Sequence, residues 1–267
     1  MRIQHIFNGL KSVCAFALLL NAAALASART VDNFDGDVLQ QQLETTAMES
    51  VTGSFFNAGT PGLTIVGDAR DAILTQTSSS SSARTTVNEG AMTGVYDLSF
   101  RTLVTGKGQL QYDGNDGSMD LDPEGLGGIN FKEDDHSTLY VHVPFNDHET
   151  QMKITVWTDA DNISEFTATI PVVAMGNPTH VESVAFADFM QQAGASGPAD
   201  FSDVGALQFD IDGDIGGMGG LDLWLDLIET GASAVPEPSS GVSLLLGGLV
   251  LVSCGSYRAR RKRAALR

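Results

Sequence analysis

Hydrophobic and polar residues alternate along much of the chain between residues 29 and 234. In Leu139–Val143, aliphatic residues alternate with Tyr140 and His142. In Leu221–Leu227, four leucines alternate with aspartate and tryptophan. A period of two residues places successive side chains on opposite faces of a strand. We therefore predict half-buried strands, with all four leucines of Leu221–Leu227 on the core face.

Further runs of this kind are separated by turns rich in Gly, Asn, Asp and Pro, and long helical patterns are missing. One short helix is predicted over Asp37–Ser50, where Leu39, Leu43 and Ala47 have helical spacing. Many strands without interleaved helices predict an all-β ectodomain, a jelly-roll-like β-sandwich. The predicted strands are Leu63–Val66, Ala72–Gln76, Gly94–Leu103, Gln109–Tyr112, Thr138–Phe145, Gln151–Thr158, Glu165–Val173, Val181–Phe189, Ala206–Ile211 and Leu221–Ile228.

The N-terminus has the three parts of a secretory signal peptide. Arg2 and Lys11 provide the positive region, and Val13 to Leu25 form an apolar run interrupted only by Asn21. Ala26 and Ala28 provide the small residues that signal peptidase accepts. We predict a signal helix within residues 1–28, cleaved before Arg29, followed by an ectodomain at 29–234.

The C-terminus also has three parts in a fixed order. A Val-Pro-Glu-Pro motif occupies residues 235–238, and an apolar segment at about 239–257 is long enough for a transmembrane helix. A tail at 258–267 holds a cluster of basic residues, which retains this end in the cytoplasm. The motif is Val235, Pro236, Glu237 and Pro238, and the cluster is Arg258, Arg260, Arg261, Lys262 and Arg263.

This arrangement over residues 235–267 resembles the PEP-CTERM sorting signal of exosortase-processed proteins. The resemblance implies that an exosortase recognises Pro236-Glu237-Pro238 after transient anchoring in the inner membrane. It also implies a final location at the cell surface or in the extracellular matrix of a bacterium that makes exopolysaccharide. An ordinary single-span anchor with a proline-containing stalk is the alternative interpretation.

Charge and cysteine content narrow the classes of function. The chain has a net charge of −18, and its two terminal segments are basic, so the region between them is still more acidic. Such a surface repels phosphate backbones and excludes nucleic acid as a partner. The cysteines are Cys14 and Cys254, so the predicted ectodomain holds no disulfide. Sequence signatures of hydrolases, zinc peptidases and nucleotide-binding enzymes are absent.

The predicted ectodomain also resembles galactose-binding and other carbohydrate-binding jelly-roll modules. The resemblance rests on an early Val31–Asp35 segment, a Val66–Asp71 segment, and a closing pair at Phe209–Asp212 and Leu221–Leu223. It implies that the first and last strands lie together. Trp157 and Trp224 would stack on sugar rings if they are exposed.

Two sets of acidic residues are candidate Ca²⁺ ligands, because Ca²⁺ prefers several hard oxygen atoms on flexible segments. One set lies in a dense acidic loop whose pattern departs from an EF-hand at Gly117 and Ser118. The other set follows from the jelly-roll resemblance and joins the two ends of the ectodomain. The loop set is Asp113, Asn115, Asp120 and Glu124; the terminal set is Asp32, Asp35, Asp210, Asp212 and Asp222.

Three functions remain open at this point. The first is a non-catalytic, matrix-associated protein that binds extracellular polysaccharide. The second is a secreted carbohydrate-active enzyme that uses an acidic pair. The third is a structural surface protein without a small ligand.

Overall fold

The computed structural model describes residues 28–35, 41–57, 62–78, 81–89, 92–214 and 220–232. All of them belong to one compact unit that ends at Ala232. The predicted apolar core of the signal peptide and the predicted sorting signal at 235–267 lie outside the described residues. Within the described ranges, no helix has both the length and the apolar character needed to cross a membrane.

Strands dominate the described residues, with short 3₁₀ helices at Val66–Asp68, Glu133–Asp135 and Phe186–Asp188. The strands are β1 (Arg29–Asp32), β2 (Gln41–Thr45), β3 (Ser50–Phe56), β4 (Ala69–Gln76), β5 (Ala83–Glu89), β6 (Met92–Phe100), β7 (Gly106–Tyr112), β8 (Thr138–Val143), β9 (Phe145–Asn146), β10 (Thr150–Trp157), β11 (Ile163–Ile170), β12 (His180–Ala185), β13 (Met190–Gln191), β14 (Ala206–Asp212), β15 (Asp222–Leu225) and β16 (Leu227–Gly231).

These strands form two layers. One layer is a seven-stranded antiparallel sheet in the order β13-β11-β10-β14-β7-β4-β3. The other combines a five-stranded sheet (β2-β5-β6-β15-β9) and a four-stranded sheet (β1-β16-β8-β12). These two sheets continue into each other, because Pro144 alone separates β8 from β9 and Asp226 alone separates β15 from β16. The predicted all-β sandwich is confirmed, and β1 pairs with the last strand, β16.

The core lies between the layers and follows the predicted alternation. In β8, Leu139, Val141 and Val143 are at most 1% exposed, whereas Tyr140 and His142 face outward. Ile154 and Val156 of β10 point inward in the same way. Each such buried aliphatic side chain contributes roughly 1.5–3 kcal/mol, and conformational entropy offsets most of the sum.

Close contact between the layers requires a glycine in β7. A Cβ atom at Gly108 would lie 2.6 Å from a methyl carbon of Leu98 in β6. The missing side chain therefore lets Leu98 pack directly on the backbone of the facing sheet, and a larger residue would force the layers apart.

A buried ion pair also joins the two layers. Arg70 of β4 donates from Nη1 to Asp32 of β1, and both side chains are fully buried. The same carboxylate accepts the Tyr112 hydroxyl at 2.9 Å and the backbone N–H of Phe34 at 2.8 Å. Burial and the neighbouring Asp32 carboxylate raise the pKa of Tyr112 well above its ordinary range, so the phenol stays protonated and donates. This network fixes the first strand on the sandwich.

The predicted helix over Asp37–Ser50 is wrong. Gln41–Thr45 forms β2, which pairs with β5, and β3 begins at Ser50; residues 36–40 lie outside the described ranges. Leucines at helical spacing are too few to override pairing with a neighbouring strand, because strand formation here depends on tertiary contacts.

The predicted face of one leucine is also wrong. Leu221, Leu223 and Leu225 are buried, as predicted, but Leu227 is half-buried and Ile228 takes the core position. The alternation changes phase at Asp226, between β15 and β16, where the backbone N–H of Asp226 donates to the carbonyl of His142 at 3.1 Å. Because Asp226 is an additional residue between β15 and β16, the residues that would face the core face outward after it, and the reverse.

Candidate functional site

An aromatic pair lies on the outer face of the five-stranded sheet. Trp224 of β15 is directly opposite Phe145 of β9, and their ring centroids are 5.0 Å apart at an angle of 49°. Both side chains are half-buried. They face outward because Leu223 and Leu225, on either side of Trp224, occupy the core.

Polar side chains extend from this pair across the sheet. The register places Trp224 beside Asp97 of β6, and Asp97 beside Thr86 of β5. Arg84 lies 3.8 Å from Asp97 across the two strands, measured between Nη2 and Oδ2. The Thr86 hydroxyl is buried and has no hydrogen-bond partner. A buried hydroxyl without a partner costs about 1–3 kcal/mol, so this row has unused hydrogen-bonding capacity.

A second polar group borders the aromatic pair. Asp222 accepts a hydrogen bond from the Ser99 hydroxyl, and its backbone N–H donates to Asp147 Oδ1 at 2.7 Å. His148 Nδ1 lies 2.8 Å from the same Asp147 oxygen. Burial raises the pKa of Asp222, the Asp147 charge raises it further, and His148 and Arg84 lower it. These contacts hold the side chains in fixed positions around the rings.

We call this surface the aromatic patch, and it combines an apolar floor with a hydrogen-bonding rim. A sugar ring has weakly polar C–H faces and hydroxyl groups at its edge. Aromatic rings pack against the C–H faces, and carboxylate, guanidinium and imidazole groups form hydrogen bonds with the hydroxyl groups. A few fixed polar groups around an apolar floor are typical of small-molecule sites. The patch consists of Trp224, Phe145, Arg84, Asp222, Ser99, Asp147 and His148, together with the buried side chains of Asp97 and Thr86.

The other tryptophan offers no such surface. Trp157 lies at the end of β10 and is only 9% exposed. The outer face of its seven-stranded sheet is polar: Gln111 donates to Gln208 at 3.1 Å, Gln208 donates to Asp210 at 2.9 Å, and Lys153 lies 3.5 Å from Asp210. Of the two tryptophans, only Trp224 therefore fulfils the condition for stacking on a sugar.

The structure does not bring the terminal set of calcium candidates together. Asp32 is buried against Arg70, a cation that excludes a second positive charge at that carboxylate. Asp210 and Asp212 lie on the outer face of the seven-stranded sheet, whereas Asp222 lies on the outer face of the other layer. Although β1 and β16 pair as the resemblance implies, these aspartates do not fit one Ca²⁺ site.

The Ca²⁺ candidates of the acidic loop differ in burial: one is buried and the other three are exposed. Asp113 is 1% exposed, and its Oδ2 accepts the backbone N–H of Asp122 at 2.9 Å. Asn115, Asp120 and Glu124 are exposed. Among the described residues, no group of three or more His, Cys, Asp or Glu side chains converges for a metal ion.

Sequence reasoning identified Trp224 as a candidate for stacking on sugars and Asp222 as a candidate Ca²⁺ ligand, but it missed most of the aromatic patch. Phe145, Asp97 and Arg84 come from three strands whose order along the sheet is not sequential. Alternation shows that Asp97 faces away from the core, since Tyr96 and Leu98 are apolar. The strand register that brings Asp97 beside Trp224 has no signal in one sequence.

Comparison with known proteins gives structural likenesses only. No protein-family model matches this chain, and no curated protein does. It is similar to a family 11 carbohydrate-binding module from Clostridium thermocellum, solved with a β-1,3-1,4-mixed-linked tetrasaccharide, at 11% identity and a TM-score of 0.40; 79% of this chain and 98% of that chain are covered. It is also similar to a family 29 carbohydrate-binding module, at 8% identity and a TM-score of 0.29, over 78% and 90% of the two chains. These TM-scores assign neither a family nor a ligand to this chain.

Proposed function

We propose that this chain is an exported, non-catalytic protein that binds polysaccharide of the extracellular matrix through the aromatic patch. The observation that carries the proposal is the pairing of Trp224 with Phe145 at half exposure, 5.0 Å apart. The surrounding carboxylates, guanidinium and imidazole supply donors and acceptors for hydroxyl groups. A ring floor with such a rim suits a polyhydroxylated chain better than it suits an apolar ligand.

The polysaccharide is expected to be neutral. The protein has a net charge of −18, and Asp97, Asp147 and Asp222 contribute three carboxylates to the aromatic patch itself. Carboxylate or sulfate groups on a ligand would be repelled by this field, whereas neutral hydroxyl groups would not. Arg84 faces Asp97, so its charge is already balanced.

Affinity electrophoresis in native gels tests this function. The purified protein is run through gels containing neutral polysaccharides (mixed-linkage glucan, xylan, galactomannan) or acidic ones (alginate, polygalacturonate). We expect at least one neutral polymer to retard the protein and the acidic polymers to have no effect. If no polymer retards the protein, the remaining function is that of a structural surface protein. If reducing sugar is released in parallel incubations, the protein is an enzyme.

Export and sorting complete the proposed function. The signal peptide directs the chain to export, and signal peptidase removes it. The segment at 239–257 then anchors the chain transiently in the inner membrane, where an exosortase processes it at Val235–Pro238. The support is the order of motif, apolar segment and basic cluster in the sequence.

Pulse-labelling tests the sorting step. We expect wild-type protein to pass from a membrane-bound precursor to a shorter product, and the Pro236→Ala/Glu237→Gln variant to accumulate as precursor. A Ser239→Ala variant is the matched control and should be processed normally. Equal processing of all three proteins would show that the motif is a stalk rather than a recognition element.

A further inference from the structure

Three buried oxygen-bearing side chains lie at one end of β4 and β7, on the outer face of the seven-stranded sheet. Asp71 of β4 is directly opposite Gln111 of β7. Asp113 follows two residues after Gln111, at the end of the strand. Asp71, Gln111 and Asp113 are 3%, 4% and 1% exposed. Carboxylates are almost never buried to this degree without a partner of opposite charge.

The hydrogen-bond network fixes the orientation of the Gln111 amide. Gln208 donates both of its contacts at 2.9 Å to the carboxylate of Asp210, so its Oε1 faces Gln111 as an acceptor. Gln111 must therefore present Nε2 to Gln208, at 3.1 Å. Its Oε1 is buried and has no hydrogen-bond partner. Because β14 lies on one side of β7 and β4 on the other, this unpaired oxygen is left on the side of Asp71.

No Lys or Arg within the described part of the chain balances the charges of Asp71 and Asp113. Burial, and after it the charges of Asp71 and Asp116, raise the pKa of Asp113 from 3.8 to about 6. Burial likewise raises the pKa of Asp71, and the Asp116 charge adds to this effect. Backbone N–H groups and the Ser54 hydroxyl are the groups that favour the ionised forms, and no Lys or Arg of the described residues contributes. Asp71 is opposite Gln111, which lies two residues before Asp113, and the Asp71 charge is among the causes that raise the pKa of Asp113.

We propose that Asp71, Gln111 and Asp113 bind a Ca²⁺ ion. Two carboxylates and an amide oxygen are hard ligands of the kind that Ca²⁺ selects, and water or backbone carbonyls complete its flexible coordination shell. The bound ion would place positive charge among three acceptors and satisfy the unpaired oxygen of Gln111. The site shares only Asp113 with the acidic loop set.

Thermal unfolding of the full-length protein in detergent, with chelator or with CaCl₂, tests the site. At about pH 7.5, saturating Ca²⁺ is expected to raise the Tm by roughly 5–10 °C. The shift should be lost in Asp71→Asn and Asp113→Asn and retained in Asp212→Asn, a matched control on the same sheet face. In chelator, the first two variants should be at least as stable as wild type, because an amide removes a buried charge; this separates loss of binding from loss of folding.

The dependence on pH separates a metal from a proton. Protons compete with Ca²⁺, so the Ca²⁺-induced shift should be smaller at about pH 5 than at about pH 7.5. A Tm that does not respond to Ca²⁺ at either pH would overturn the proposal, as would a full Ca²⁺ response in Asp71→Asn.

Discussion

Replacing Arg70 by methionine is expected to destabilise the protein by about 3–5 kcal/mol, because it leaves the Asp32 carboxylate buried without its cation. The Arg70 side chain is fully buried, with its Cζ atom 5.1 Å from the ring centroid of Phe34 and 5.5 Å from that of Phe55. Its loss therefore also removes a contact with Phe34, which follows β1 of the other layer, and one with Phe55 of its own sheet. Urea unfolding followed by circular dichroism measures the change, on the assumption of a two-state transition.

A second variant identifies the cause of this loss. In Arg70→Met/Asp32→Asn, the amide oxygen takes the position of Oδ1 and still accepts the backbone N–H of Phe34. The amide NH2 takes the position of Oδ2 and donates to the Tyr112 hydroxyl, so no unpaired charge remains. We expect this double variant to be more stable than Arg70→Met alone. Lys153→Met is the control, since its 3.5 Å ion pair with Asp210 lies at the surface and should contribute less than about 1 kcal/mol. A double variant as unstable as Arg70→Met would show that packing, not charge, is responsible.

Replacing Trp224 by alanine is expected to weaken polysaccharide binding by roughly 30-fold or more, a change of about 2 kcal/mol. The substitution removes the larger of the two rings on the aromatic patch and leaves Phe145 without its partner. Because Trp224 lies on the outer face, the core residues Leu223 and Leu225 stay in place. Isothermal titration with a polysaccharide that retards the wild type measures the loss of affinity.

One control and one further variant accompany this measurement. Trp157→Phe changes the buried tryptophan of the other layer and should leave affinity unchanged. Asp147→Asn keeps the shape of the rim but removes a charge-assisted acceptor whose side chain is 28% exposed, and it should weaken binding by roughly tenfold. Unchanged affinity in Trp224→Ala, with normal folding, would place the ligand elsewhere on the molecule.

The sequence predicted the fold class and several strand faces because alternation is a local property. The period of two residues in Leu139–Val143 specifies the buried face without knowledge of the partner strand. It fails where a single residue changes the phase, as at Asp226, which turns Leu227 outward. It also fails for β2, where helical spacing of Leu39, Leu43 and Ala47 competes with pairing to a distant strand.

The functional surfaces were less predictable because they depend on which strands are neighbours. Trp224 and Asp222 were candidates from the sequence, but Asp97 and Phe145 reach them only through the order β6-β15-β9. Asp32 was expected to bind Ca²⁺, yet a buried arginine from β4 lies against it. Asp71 was not singled out as a ligand, because its proximity to Asp113 requires the β4–β7 register.

Quenching of Trp224 fluorescence tests polysaccharide binding at the aromatic patch most directly. The chain has two tryptophans, so Trp157→Phe leaves Trp224 as the only one, and acrylamide is a neutral quencher that the acidic surface does not repel. We expect acrylamide to quench the free protein and saturating neutral polysaccharide to reduce the quenching constant severalfold. Equal quenching with and without a polysaccharide that the protein demonstrably binds would contradict the assignment of the aromatic patch as the binding site.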